Sequence, residues 1–218
     1  IGGGSDPRPG EASLAHGGVL FLDELPEFSR HCLEVLREPM ESGLVTISRA
    51  RHKLSYPASF QLIAAMNPCP CGYLGDPERP CRCTPDQVKR YRGRVSGPLL
   101  DRIDLHAHVP RLAPGQLLAQ DCSGESSSAV RARVNQCRET QHSRQHCINA
   151  RLGNDRLLDI CELNKSAKQM LEQAAEQMLL SGRALHRSLR VARTIADMEG
   201  LQRVYEPQLS EALGYRGH

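Results

Sequence analysis

The run Gly18-Val19-Leu20-Phe21-Leu22-Asp23-Glu24 decides the fold class of this chain. Its four consecutive apolar residues, 19–22, are typical of a strand that is buried on both faces of a parallel sheet. A second apolar run follows at 60–65, and the alternation of apolar and polar residues over 103–109 predicts a third strand. The first part of the chain is therefore predicted to be α/β.

A helix and a hairpin are predicted between the first two of these strands. Apolar residues recur at helical spacing over 30–41, which predicts a helix that ends at Gly43. Segments 44–48 and 53–56 read as short strands on either side of a basic tip at 49–52. This pattern indicates a hairpin with a positively charged end.

The pattern changes in the second half of the chain. Residues 114–128 are rich in Pro, Gly and Ser, which predicts a linker. Beyond the linker, apolar residues recur at helical spacing, most regularly over 167–179. We therefore predict two domains, an α/β part at 1–112 and a small all-helical part at 113–218.

Composition excludes several classes of protein. Hydrophobic residues make up 39% of the 218 residues, enough for a globular core, and no stretch approaches the ~20 apolar residues that a membrane span needs. The nine cysteines are too few for a disulfide scaffold and are odd in number. We therefore expect a soluble protein of the reducing cytoplasm, without a membrane partner.

The net charge of +3 is distributed unevenly along the chain. Residues 1–48 hold eight acidic and three basic side chains, a balance of −5, whereas residues 79–111 hold eight basic and three acidic ones, a balance of +5. Such asymmetry favours a polyanionic partner or an acidic neighbouring surface. Solvated charged faces are the alternative.

Polar side chains follow the ends of the predicted strands. Asp23 and Glu24 follow the first strand and Asn67 follows the second, and ligands bind beyond the carboxyl ends of parallel strands. There, one acid can hold Mg²⁺ on a nucleotide while another polarises the attacking water. Arg102 precedes the predicted third strand and can stabilise charge on a transferred phosphoryl group. Solvated strand ends are the alternative interpretation.

Four cysteines form a separate pattern. Cys69, Cys71, Cys81 and Cys83 are spaced C-x-C-x₉-C-x-C within 15 residues. Four thiolates can saturate a tetrahedral Zn²⁺ in a closed, structural site. The C-x-C spacing is tighter than the usual C-x₂-C, so reduced free thiols and disulfides stay open as alternatives.

Three segments carry a family resemblance: Gly-Glu-Ala-Ser-Leu-Ala-His-Gly-Gly-Val-Leu-Phe-Leu-Asp-Glu-Leu-Pro-Glu-Phe (10–28), Asn-Pro-Cys-Pro-Cys-Gly (67–72) and Ser-Gly-Pro-Leu-Leu-Asp-Arg-Ile-Asp-Leu-His (96–106). They are similar to the ComM/YifB family, which are Mg-chelatase-like AAA+ ATPases of bacteria associated with DNA branch migration during natural transformation. The resemblance extends through 181–197 and covers nearly the whole chain.

This resemblance implies roles for individual residues. Asp23 and Glu24 match the Walker B acids, and Asn67 matches sensor 1. Arg102 matches the arginine finger, which acts on the nucleotide of a neighbouring subunit, and Arg183 matches the sensor 2 arginine of the lid. The implied cofactors are ATP and Mg²⁺.

The resemblance also implies an architecture. Residues 1–112 would be the later part of an AAA+ P-loop-type core, and residues 113–218 an all-helical lid. The family carries an upstream Gly-x-x-x-x-Gly-Lys-Ser/Thr loop that these 218 residues lack. We therefore expect a C-terminal fragment that binds ATP poorly and does not hydrolyse it. The whole protein would be a ring, a hexamer, in which ATP hydrolysis drives DNA remodelling.

Two alternatives to a DNA-remodelling ATPase stay open. One is a magnesium-chelatase-type motor that acts on a porphyrin-loading protein partner, and the other is a non-enzymatic, zinc-containing interaction module. Arg49, Arg51 and Lys53 at the predicted hairpin tip favour DNA as the partner. Contacts of this kind would go mainly to phosphates and would carry little sequence information.

Overall fold

The computed structural model describes most of the chain, namely residues 2–3, 8–49, 52–112 and 124–216. The chain divides into two compact units, residues 1–103 and 104–218. The described residues form a mixed α/β structure with a small parallel sheet and many helices, as the sequence predicts. The finer domain boundary between 112 and 113 stays a prediction, because 113–123 lie outside the described residues.

The strands described in the first unit are short and pair two by two. They are β1 (Gly2–Gly3), β2 (Arg8–Pro9), β3 (Val19–Leu22), β4 (Leu44–Arg49), β5 (His52–Pro57) and β6 (Gln61–Ala64). β3 and β6 run parallel, in register from Val19 opposite Gln61 to Leu22 opposite Ala64. β4 and β5 form the predicted antiparallel hairpin, and β1 pairs antiparallel with β2.

The helices described in the first unit are α1 (Glu11–Leu14), α2 (Arg30–Val35), α3 (Arg37–Ser42), α4 (Pro85–Arg92) and α5 (Gly97–Leu100). The prediction of one continuous helix over 30–41 is wrong, because the helix breaks at Leu36. Pro39 explains the break, since proline is tolerated in the first turn of α3 but not inside a longer helix. Gly43, at φ 69°, ends α3, and its N–H donates to the carbonyl of Pro39 at 2.9 Å.

The prediction that β3 is buried on both faces is also wrong. Leu20 and Leu22 pack against a small core formed by α1, β4 and the junction of α2 and α3. Val19 and Phe21 point the other way and are 53% and 59% exposed, and Ile63 of β6 is 44% exposed. Within the described residues this sheet has two strands, and only one of its faces is covered.

The predicted third strand at 103–109 is absent, because this described segment has no regular secondary structure. Its apolar residues Leu105 and Val109 are 53% and 84% exposed. The N–H of His106 donates to the carbonyl of Tyr215 at 2.9 Å instead of to a strand. Alternation of residue type alone therefore does not make a strand here.

Helices are the regular structure of the described part of the second unit. They are α6 (Ser127–Gln145), α7 (Asn154–Cys161), α8 (Lys165–Gln177), α9 (Gly182–Met198) and α10 (Glu206–Gly214), with a 3₁₀ turn at Asn149–Arg151. Buried residues such as Leu157, Leu171 and Leu189 join α7 to α10 in one apolar core. No helix within the described ranges is both long and apolar enough to cross a membrane.

A buried polar cluster links α6 to α9. The carboxylate of Asp197 accepts two hydrogen bonds from Arg144, at 2.5 and 2.9 Å, and one from Asn149 at 2.8 Å. The fully buried guanidinium of Arg193 lies 2.9 Å from the same carboxylate. Burial acts to raise the pKa of Asp197, but these donors and cations outweigh it and leave the pKa lowered.

Candidate functional site

The carboxyl ends of β3 and β6 lie side by side. Beyond the last paired residues, the N–H of Ala65 donates to the carbonyl of Leu22 at 2.9 Å, and the N–H of Leu25 donates to the carbonyl of Ala65 at 2.9 Å. Residues 23–24 and Asn67 therefore emerge from neighbouring strands at one edge of the sheet. We call this edge, residues 23–24 and 65–67, the strand-end edge.

The backbone of Glu24 is left-handed, with φ 50° and ψ 48°. Its N–H donates to the carboxylate of Asp23 at 2.8 Å, and the next residue, Leu25, is buried at 2% exposure. This conformation costs a non-glycine residue about 1 kcal/mol or more. Backbone strain of this kind is concentrated at functional sites. The turn leaves both carboxylates exposed to solvent at the end of β3.

Tyr91 of α4 contacts the strand-end edge, a role that sequence reasoning missed. It is the buried residue of α4, at 7% exposure. Burial raises the pKa of Tyr91, a hydrogen bond from the backbone N–H of Asn67 opposes the rise, and the charges of Glu27 and Glu24 add to it. Tyr91 thus lies close to Asn67. The available signal was an aromatic residue on an otherwise basic helix.

Arg102 follows α5 and is buried, at 7% exposure. Its Nη2 lies 2.9 Å from Oε1 of Glu41, and its Nη1 donates to the carbonyl of Pro98 at 2.6 Å. The guanidinium is therefore held by groups of its own chain, on α3 and α5. Any action on another subunit would require it to leave Glu41.

Arg183 belongs to the second unit, in the first turn of α9, and its side chain is exposed. Ser181 caps this helix by accepting the N–H of Ala184 at 3.2 Å. One helical turn further, Arg187 pairs with Asp104 at 2.6 Å. One basic side chain of α9, Arg187, is therefore paired within its own unit.

The four predicted cysteine ligands come together in the loop between β6 and α4. The sulfur of Cys69 lies 3.4 Å from that of Cys71 and 3.6 Å from that of Cys81, and the last two are 3.6 Å apart. Adding Cys83, all four sulfurs lie within 4.8 Å of one another. Four soft sulfur donors at this spacing match the chemistry of a zinc site.

The surroundings of these thiols differ from one to the next. Hydrogen bonds from the backbone N–H groups of Tyr73 and Arg82 lower the pKa of Cys71 to about 6. Burial raises the pKa of Cys83 to about 12. The fold therefore favours the thiolate form of Cys71 and opposes that of Cys83.

The described part of the hairpin tip is small. Lys53 on β5 is exposed, and Arg49 ends β4. The side chain of Arg49 and the whole of Arg51 lie outside what the structure describes. The DNA-binding assignment of these three residues therefore stays a prediction.

Comparison with known proteins identifies the family. The family model for magnesium chelatase, subunit ChlI, matches residues 1–117. The family model for the ChlI C-terminal region matches residues 124–216. The chain is 50% identical over 216 residues to competence protein ComM of Haemophilus influenzae, and 49% identical over 217 residues to the uncharacterized protein YifB of Escherichia coli. Each of these two matches covers 99% of this chain and 42% of the relative.

A more distant relative comes from plants. The chain is 24% identical over 199 residues to the chloroplastic magnesium-chelatase subunit ChlI-1 of Arabidopsis thaliana, which covers 90% of this chain and 41% of that protein. The chain thus spans less than half the length of the curated relatives that it matches. Taken with the strand-end acids and the two family models, these identities confirm the resemblance seen in the sequence: the chain belongs to the magnesium-chelatase ChlI family, in its ComM/YifB group.

Proposed function

We propose that this chain carries the later part of an AAA+ ATPase core followed by a helical lid, and that the whole protein hydrolyses ATP. The observation that carries the proposal is the strand-end edge, where Asp23, Glu24 and Asn67 follow two paired parallel strands. Membership of a family of Mg-chelatase-like ATPases supports it. Polar groups gathered at the carboxyl edge of a parallel sheet are where a nucleotide is bound in such folds.

The residues of this edge divide the chemistry between them. The carboxylate of Asp23 is an exposed hard oxygen donor of the kind that Mg²⁺ takes, so it would hold the ion that neutralises the phosphates. Glu24 would accept a proton from the attacking water, and its left-handed backbone aims it from the end of the strand. Asn67, braced by Tyr91, would orient that water or a γ-phosphate oxygen.

The remaining assignments concern the assembled protein. Arg102 would act as the arginine finger of the neighbouring subunit's site, and Arg183 would contact the nucleotide from the lid. The 218 residues contain no Gly-x-x-x-x-Gly-Lys-Ser/Thr motif, so the isolated chain would not hydrolyse ATP. A hexameric ring with DNA as its substrate is the form we propose, because one relative is named a competence protein and the hairpin end is basic.

The experiment that tests this function is Glu24→Gln in the whole protein. We expect the variant to bind ATP and Mg²⁺ normally and to lose turnover, because the metal ligand Asp23 remains while the group that polarises the water is gone. Glu27→Gln, three residues further and also exposed, is the matched control and should hydrolyse ATP normally. Near-normal hydrolysis in Glu24→Gln would refute the assignment.

The same assay separates the partners. Hydrolysis that rises on adding branched DNA supports DNA as the substrate. A hydrolysis rate that is unchanged by DNA and rises with a porphyrin-loading protein would instead support a chelatase-type motor.

A further inference from the structure

We propose that Cys69, Cys71, Cys81 and Cys83 form a closed zinc site, and that this site holds in place the loop that begins at Asn67. The zinc site stands on the geometry of the sulfurs alone. Its consequence for catalysis rests on the function proposed above.

The spacing of the sulfurs fits a tetrahedral metal. Zinc–sulfur bonds of about 2.3 Å at tetrahedral angles put neighbouring sulfurs about 3.8 Å apart. The three closest pairs among Cys69, Cys71 and Cys81 lie at 3.4–3.6 Å, close to that value. A disulfide would need about 2.05 Å and would join only two of the sulfurs. Three sulfurs in mutual contact with a fourth nearby are the arrangement that one shared ion requires.

Both halves of the motif direct a backbone N–H toward a sulfur. The backbone N–H of Tyr73 donates to the sulfur of Cys71, two residues before it. The N–H of Cys83 lies 3.4 Å from the sulfur of Cys81, again two residues before it. Gly72, at φ +80°, permits the turn in the first half, since an L side chain would be strained there. Backbone N–H groups directed at sulfur in both halves are suited to stabilise thiolate ligands.

The site would be structural. Four protein ligands fill a tetrahedral zinc and leave no position for water or substrate. The segment between β6 and α4 has no regular secondary structure, and a loop of this length needs a local cross-link to stay ordered. Within it, Arg79 lies over the ring of the half-buried Tyr73, at 5.4 Å, and is itself exposed. Cys69, in contrast, is fully buried.

The cluster is tied to Asn67 from both ends. On one side, Asn67 lies two residues before Cys69. On the other, Cys83 directly precedes the capping residue Thr84 of α4, whose Tyr91 takes a hydrogen bond from Asn67. The neighbouring Arg92 donates to the carbonyl of Pro68 at 3.1 Å. A metal that fixes the sulfurs would therefore fix the chain on both sides of the contacts around Asn67.

Elemental analysis of the whole protein, purified without chelator, tests the metal site directly. We expect about one zinc per chain in the wild type and a loss of most of it in the double variant Cys81→Ser/Cys83→Ser. Cys32→Ser and Cys147→Ser, which change cysteines outside the cluster, are matched controls and should keep the zinc. Less than about a tenth of a metal per chain with all four thiols titrating freely would overturn the proposal. So would oxidised cysteines, or iron with visible absorption in place of zinc.

A second measurement tests the link to Asn67. Cys81→Ser/Cys83→Ser and Asn67→Ala should each lower kcat about tenfold or more, with the KM for ATP little changed. Because both act through one positioned amide, their combination should be no worse than Asn67→Ala alone. Additive losses would refute the positioning role. Zinc bound to a protein without ATPase activity would refute the proposed function and leave the metal site standing.

Discussion

The guanidinium of Arg102 is buried against the carboxylate of Glu41 in the same chain, with Nη2 and Oε1 2.9 Å apart. An arginine finger has to reach the nucleotide of another subunit, so this ion pair would have to open when subunits assemble around ATP. The ion pair within the chain is thus distinct from the role between subunits that we propose for Arg102.

The first prediction distinguishes these functions by mixing subunits. Arg102→Ala should lower turnover of the whole protein about 10³-fold or more, the usual worth of an arginine finger. Glu24→Gln subunits lack hydrolysis but keep Arg102. Mixed assemblies of the two variants should therefore regain measurable ATPase activity. In them, the intact Glu24 of an Arg102→Ala subunit can lie next to the intact Arg102 of a Glu24→Gln subunit.

Glu41→Gln is the control for the buried pair. It removes the partner of Arg102 and should lower stability, but it leaves the finger in place and should keep turnover. Mixed Arg102→Ala and Glu24→Gln assemblies that remain inactive, although size measurements show that they assemble, would exclude action between subunits.

The second prediction concerns the left-handed backbone of Glu24. At an ordinary position glycine is less stable than alanine by about 0.5–1 kcal/mol, but at φ 50° the order should reverse, because alanine keeps the strain and glycine relieves it. Denaturant unfolding should find Glu24→Gly more stable than Glu24→Ala by about 1 kcal/mol. Gly182→Ala, where added bulk meets open space, should show the ordinary order. Equal stability of the two Glu24 variants would mean that this backbone carries no strain.

The third prediction is a pH dependence centred on Asp197. Because its pKa is lowered in the folded chain, its contribution is complete above the unfolded pKa of about 3.9 and is lost as the pH falls through the folded value. Asp197→Asn should cost about 3 kcal/mol at pH 7, since it leaves the buried Arg193 and the partly buried Arg144 without a counter-charge.

Urea titrations from pH 7 down to pH 3 measure this difference. The gap between wild type and variant should narrow as the pH falls below about 4. Asp159→Asn, on the exposed face of α7, should change stability by less than about 0.5 kcal/mol at every pH. A gap that stays constant with pH would show that the carboxylate charge is not what stabilises the cluster.

Local sequence patterns predicted much of this fold. Strands β3 and β6 have continuous apolar runs, and the hairpin strands and the helices of the second unit have patterns of their own within a few residues of sequence. The placement of residues 23–24 and Asn67 on one edge follows from strand direction alone. Their chemical roles stay predictions, since the geometry supports them without testing them.

What the sequence could not supply depends on residues far apart in the chain. The contact of Tyr91 with Asn67 spans 24 positions, and the pairing of Arg102 with Glu41 spans 61, so no local pattern encodes either. The exposure of Phe21 depends on what covers the sheet, and the absence of a strand at 103–109 depends on partners that the alternation of residue types does not name.

The apolar cores of the two units are unequal in a way that affects every stability measurement on this chain. Among the residues that the structure describes, the second unit buries thirteen core residues in one cluster, whereas the first has two clusters of four. A smaller core resists heat and denaturant less well, so the two units are not expected to melt as one cooperative whole. A calorimetric trace of the chain is then a sum of two transitions. A change in melting temperature caused by a substitution can be converted to a free energy of unfolding only after it is assigned to one of them.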